Sequence, residues 1–123
     1  MSQASEKSTR GRKPARYKKF AQQYPALAKA YEILGSAASE AGPLDARTRE
    51  LVKLALSIGA WREGAVHSHT RRALEEGCTA EEIRHAVVLA ITTLGFPSTM
   101  AAMSWVEDVI APQSSKGSAT PMR

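Results

Sequence analysis

Residues 69–90 read HTRRALEEGCTAEEIRHAVVLA, and this stretch decides the fold. Gly77 can take the left-handed conformation on which helices end. Two residues on, Thr79-Ala80-Glu81-Glu82 has the form of a capping box. The Thr79 hydroxyl can accept from the amide of Glu82, and the Glu82 carboxylate can reach back to the amide of Thr79. One helix therefore stops at Gly77 and another starts at Thr79. Ile83, Val87, Ala90, Ile91 and Leu94 then recur at helical spacing, which predicts a helix over 80–94 ended by Gly95 and Pro97. Val88 and Leu89 lie off that stripe. A helix apolar on most sides is buried on most sides, so this helix is expected to serve a subunit interface as well as the core.

Working outward, the preceding helix is expected from Trp61 to Glu76. Before it, Asp45 can cap a helix over 46–59 whose stripe is Leu51, Leu54, Ala55 and Ile58. Pro25 suits the first turn of a helix over 25–41. Leu27, Tyr31 and Leu34 supply its apolar face, and Gly42-Pro43 stops it. Downstream, Ser98 is expected to cap a helix over 99–110, with Met100 and Met103 as core packing and Pro112 beyond its end. No segment alternates with period two. The expected fold is all-α, a compact bundle of about five to six helices.

Charge is unevenly distributed. Residues 1–19 hold seven Lys or Arg and one acid, whereas residues 20–112 hold eight basic and eleven acidic residues. The basicity belongs to the ends, and the central part gives no reason to expect nucleic-acid binding. Residues 1–16 and 112–123 are polar and short of large apolar side chains. They read as tails around one helical domain over 17–111. No apolar run approaches the roughly 20 residues that cross a bilayer. With one cysteine, Cys78, there is no internal disulfide to form, and the expectation is a cytoplasmic protein without membrane partners.

Three stretches carry a resemblance: LDARTRELVKLALSIGA over 44–60, HTRRALEEGCTAEEIRHAVVLA over 69–90, and TTLGFPSTMAAMSWV over 92–106. In this order they resemble the carboxymuconolactone decarboxylase-like, or alkylhydroperoxidase D-like, family. In the peroxidase branch of that family the pattern is a Glu, eleven residues, Cys-x-x-Cys, three residues and a His. Here Glu50 and His69 fall on the Glu and the His, while Arg62 and Ala65 stand where the two cysteines would be. Cys78 matches neither. Peroxide reduction by that route needs a thiolate and a resolving thiol, so the chain looks more like the decarboxylase branch. The resemblance implies homotrimers or homohexamers, no cofactor, and a small-molecule carboxylate as substrate.

On an ideal helix with His69 at zero, Arg62 falls at about +20° and Ala65 at about −40°. The expectation is thus a guanidinium and an imidazole on one face. Arg62 would hold a substrate carboxylate through paired hydrogen bonds, and His69 would give or take a proton near neutral pH. Glu50, on the stripe of Leu54 and Ile58, would orient His69 or exchange protons with it. The bland alternatives are a solvated Arg62, a hydrogen-bonded core His69 and an exposed Glu50. Tyr31 and Trp61, with Trp105, could line a pocket or pack in the core. Glu63 and His67, one helical turn apart, have the spacing of a metal chelate, but two groups do not make a site. A third ligand, such as His85, would have to come from elsewhere, and no metal is expected.

The leading reading is a cofactor-free enzyme of the decarboxylase or lactone type with His69 and Glu50 as catalytic residues. The alternatives are a peroxidase-like redox protein using Cys78 or a partner's thiol, and a non-catalytic helical assembly module.

Overall fold

The computed structural model describes residues 15–112. The expected tails over 1–16 and 112–123 lie almost wholly outside this range, although Ala15 and Arg16 already belong to a helix. The helices are α1 (Ala15–Gln23), α2 (Pro25–Ser39), α3 (Ala46–Gly59), α4 (Glu63–Glu75), α5 (Ala80–Val88), α6 (Ile91–Leu94) and α7 (Phe96–Ile110). Among the described residues there is no strand, as the missing period-two pattern required. None of these helices is long and apolar enough to cross a membrane.

The chain divides into two compact units, with the boundary between Ala46 and Arg47. The first unit holds α1 and α2. The Tyr17 hydroxyl donates to the Glu32 carboxylate across them at 3.0 Å, and the Phe20 ring packs on Tyr24 with centroids 5.4 Å apart. Leu27, Tyr31 and Leu34, the expected apolar face of α2, are exposed.

The second unit holds α3 to α7. Leu54 and Ile58 of α3, Val66 and Ala73 of α4, Ile83 and Val87 of α5, and Ala102 and Val106 of α7 close into one core together with Cys78. Each series is spaced by four or seven, so each helix turns one stripe inward. Thr70 and Thr99 are also fully buried. Their hydroxyls donate to the carbonyls of Val66 and Gly95, one turn back, so neither leaves a buried donor unmet.

Two helix ends close in the same way. After α4, the Cys78 amide donates to the Ala73 carbonyl and the Gly77 amide to Leu74, with Gly77 at φ 100°. After α3, the Arg62 amide donates to Ser57 and the Trp61 amide to Ile58. The left-handed residue there is Trp61, at φ 61°. A side chain in that region ordinarily costs about 1–2 kcal/mol, and glycine is the usual occupant.

The capping box forms as read. The Glu82 amide donates to the Thr79 hydroxyl at 3.0 Å, and the Thr79 amide donates to the Glu82 carboxylate at 2.9 Å. The same carboxylate accepts from Arg47 at 2.7 Å, tying the start of α3 to the start of α5.

Two boundaries late in the chain differ from expectation. The helix expected over 80–94 breaks at Leu89 and Ala90, where the Ala90 amide turns back to the Val87 carbonyl at 2.9 Å. The backbone stays right-handed and tightens by one residue, without a glycine or proline to announce it. Pro97 sits in the first turn of α7, where its missing amide costs nothing. α7 therefore starts at Phe96, and Ser98 lies inside it. Met103 packs against the core as expected, whereas Met100 is exposed.

Candidate functional site

Glu50 lies one turn before Leu54 on α3, and His69 lies one turn before Ala73 on α4. Both therefore stand beside the core stripe of their helix. There they meet: His69 Nδ1 is 2.9 Å from Glu50 Oε1. The imidazole is 17% exposed and the carboxylate 12%. Burial by itself pushes the Glu50 carboxyl up. The hydrogen bond from His69 and the positive charges of His69, Arg72 and Lys53 outweigh it and hold the carboxyl below the usual range.

Glu50 is consequently an ionised acceptor near neutral pH, which makes His69 Nδ1 the donor. The tautomer follows. Neutral His69 carries its proton on Nδ1 and presents a lone pair at Nε2; protonated His69 presents an N–H there. Such an imidazole can take a proton at Nε2 and return it without losing its orienting partner.

The other expected site residues are placed differently. Arg62 is not on α4. It is the residue before the first turn, with an extended backbone (φ −111°, ψ 94°), and its side chain is exposed. The projection that set it on the face of His69 assumed a helix from Trp61, and the left-handed turn at Trp61 delays the start to Glu63. Trp61 is half-exposed and packs on Trp105 of α7, with ring centroids 4.8 Å apart and planes tilted by 59°. Tyr31 is an exposed residue of α2, in the first unit.

His67 and His69 leave α4 about 200° apart. His67 turns to α7, where Nε2 lies 3.0 Å from Asp108 Oδ2 and 4.0 Å from Glu63 Oε2. The third group beside the Glu63–His67 pair is therefore Asp108, while His85 is exposed on α5. Sequence reading missed Asp108 because it depends on the packing of α7 against α4, forty-one residues away. One signal was present: Asp108 and its neighbour Glu107 are the two charged residues of α7.

Cys78 is buried, with its sulfur 3.7 Å from the Arg47 carbonyl. Burial pushes its thiol up, and the neighbouring Arg47 does not offset this. That is the environment of an inert thiol.

The model of the carboxymuconolactone decarboxylase family matches residues 25–108, which contain both members of the Glu50–His69 pair. A nitrosuccinic acid decarboxylase of Metarhizium robertsii is 41% identical over 76 residues, 60% of this chain and 52% of that protein. An uncharacterized protein of Haemophilus influenzae is 43% identical over 51 residues, 42% of this chain and 45% of that one. The chain thus spans about half the length of these curated relatives. Among solved structures, the apo form of a Legionella pneumophila protein of the same family superposes with a TM-score of 0.69 at 28% identity. The match covers 77% of this chain and 85% of that one.

Proposed function

The chain belongs to the carboxymuconolactone decarboxylase family, and on that premise we propose that it is a decarboxylase of small carboxylic acids with Glu50 and His69 as its proton-transfer pair. The observation that carries this reading is the largely buried Nδ1–carboxylate bond, which leaves Nε2 of His69 for the substrate.

The chemistry suits an acid whose carboxylate-bearing carbon lies next to an electron sink, such as a nitro group or a conjugated lactone. The bond between that carbon and the carboxylate breaks and CO2 leaves. Its electron pair moves into the sink, and the resulting anion then needs a proton, at the same carbon for a nitro sink or at the carbon next to the carbonyl for a conjugated lactone. Protonated His69 supplies it from Nε2, with the Glu50 carboxylate stabilising the imidazolium until transfer. Neutral His69 recovers a proton from water. Positioned proton transfer of this kind is worth about 10²–10⁴-fold in rate. Arg62, exposed at the start of α4, is the proposed anchor for a substrate carboxylate. Trp61 is proposed as a wall of the substrate site.

We also propose that the chain works as a homotrimer or homohexamer. Val88 and Leu89 at the end of α5 are exposed in the single chain, Leu89 by 61%, as are Leu94 and Phe96 just beyond. Large apolar side chains exposed this close together in the sequence suit a protein contact. A thiol-peroxidase reading has less support, since Arg62 and Ala65 stand at the positions of the two sulfurs and Cys78 is buried with a raised thiol.

The test is a substrate panel in heavy water containing nitrosuccinate and carboxymuconolactone, followed by CO2 release. Supporting this function, one substrate loses CO2 and its product gains deuterium, at the carbon that held the carboxylate for nitrosuccinate or at the carbon next to the lactone carbonyl for carboxymuconolactone. Turnover of neither substrate, with peroxide reduced instead, would overturn it.

A further inference from the structure

The second cluster of titratable groups lies on the other side of α4 from the pair just described, and the decarboxylation does not use it. Glu63, His67 and Asp108 bring Oε2, Nε2 and Oδ2 within 4.8 Å of one another. We propose that these three side chains form a binding site for a divalent transition-metal ion of the zinc class.

Three independent features converge on this. The spacing is that of a helical chelate: Glu63 and His67 are four residues apart in the first two turns of α4, so both side chains lie on one face. The third donor comes from a different helix, α7, which closes the group into a triangle. The three groups are also net negative by themselves. One imidazolium can neutralise only one of two carboxylates, so the cluster stays at −1 even with His67 protonated and reaches −2 with it neutral.

The distances fit. Zinc held at about 2.0–2.1 Å by nitrogen and oxygen in tetrahedral geometry keeps its ligands roughly 3.3–3.4 Å apart. Asp108 Oδ2 stands 3.0 Å and Glu63 Oε2 4.0 Å from His67 Nε2. The exposed Glu63 side chain must rotate to bring its oxygen closer to the other two donors. The donor set selects among metals. An imidazole nitrogen with two carboxylates suits zinc, cobalt or nickel, whereas calcium and magnesium seek all-oxygen shells. Both acids are exposed, so water can complete the coordination. A bound ion would clamp the start of α4 to the end of α7, and binding to the folded state alone would raise its stability by mass action.

The experiment is calorimetric titration of zinc chloride into the full-length chain at neutral pH, on wild type, His67→Gln, Glu63→Gln, Asp108→Asn and His69→Gln. Circular dichroism checks that each is folded. Melting temperatures are read with and without zinc, with magnesium as the comparison. We expect one zinc per wild-type chain, an affinity about tenfold or more weaker in each of the three cluster variants, and unchanged binding in His69→Gln. Zinc should raise the melting temperature of the wild type and of His69→Gln, and magnesium should not. Wild-type binding no tighter than that of His67→Gln would overturn the proposal, leaving an ion pair between helices. So would loss of binding in His69→Gln, which would move the metal to the Glu50–His69 pair. An equal response to magnesium would overturn it as well, by reducing the cluster to plain charge attraction.

Discussion

Replacing Glu50 and His69 singly and together measures how strongly the two side chains depend on each other. The structure sets the scale. Their 2.9 Å contact joins a carboxylate 12% exposed to an imidazole 17% exposed, so solvent screens it far less than a surface pair. Exposed pairs are worth about 0.2–1 kcal/mol, while hydrogen bonds to charged groups reach about 1.5–3 kcal/mol. A double-mutant cycle of Glu50→Gln, His69→Gln and the double variant should therefore give a coupling of about 2 kcal/mol near neutral pH. The readout is urea unfolding at one fixed protein concentration, since self-association would otherwise shift the midpoints.

The pH dependence has a defined sign. The folded-state value of Glu50 lies below its unfolded value. Its contribution is therefore complete above the ordinary carboxylate range and is lost as pH falls through the lowered folded-state value. The coupling should shrink on acidification. A coupling near zero at neutral pH, or one that grows as the solution is made acid, would refute the dyad as an energetic unit.

Further outcomes follow from other parts of the molecule. Trp61→Gly should be more stable than Trp61→Ala by about 1 kcal/mol in thermal unfolding, because both lose the ring contact with Trp105 but only alanine keeps a Cβ in the left-handed region. Cys78 should react with a thiol reagent only slowly in the native state and quickly in urea, and Cys78→Ser should leave decarboxylation unchanged. Leu89→Arg should lower the mass seen by light scattering while far-ultraviolet dichroism stays the same, because Leu89 is exposed in the single chain and the proposed contact would bury its charge. A wild-type chain that scatters as a monomer would remove the assembly proposal.

The sequence carried most of the second unit because its signals were local. The Gly77 stop, the Thr79–Glu82 box and the stripes through Leu54, Ile83 and Val106 each follow from spacing within one or two helical turns. The Glu50–His69 pair was legible for another reason: family resemblance aligned two residues that spacing alone could not have joined. What escaped reading was tertiary or backbone-specific. Nothing in the residue type at 61 announces a left-handed tryptophan, yet that turn leaves Arg62 just ahead of the first turn of α4 rather than on the helix. The break at Leu89 and Ala90 lacks a breaker residue. Asp108 joins His67 only because α7 packs across α4.

The most direct test of the account compares wild type with His69→Ala on a substrate that the wild type decarboxylates, following CO2 release at saturating substrate, with light scattering on both. The account predicts a fall in kcat of about 10²–10⁴-fold with assembly and secondary structure unchanged. A His69→Ala protein that releases CO2 at the wild-type rate would contradict it.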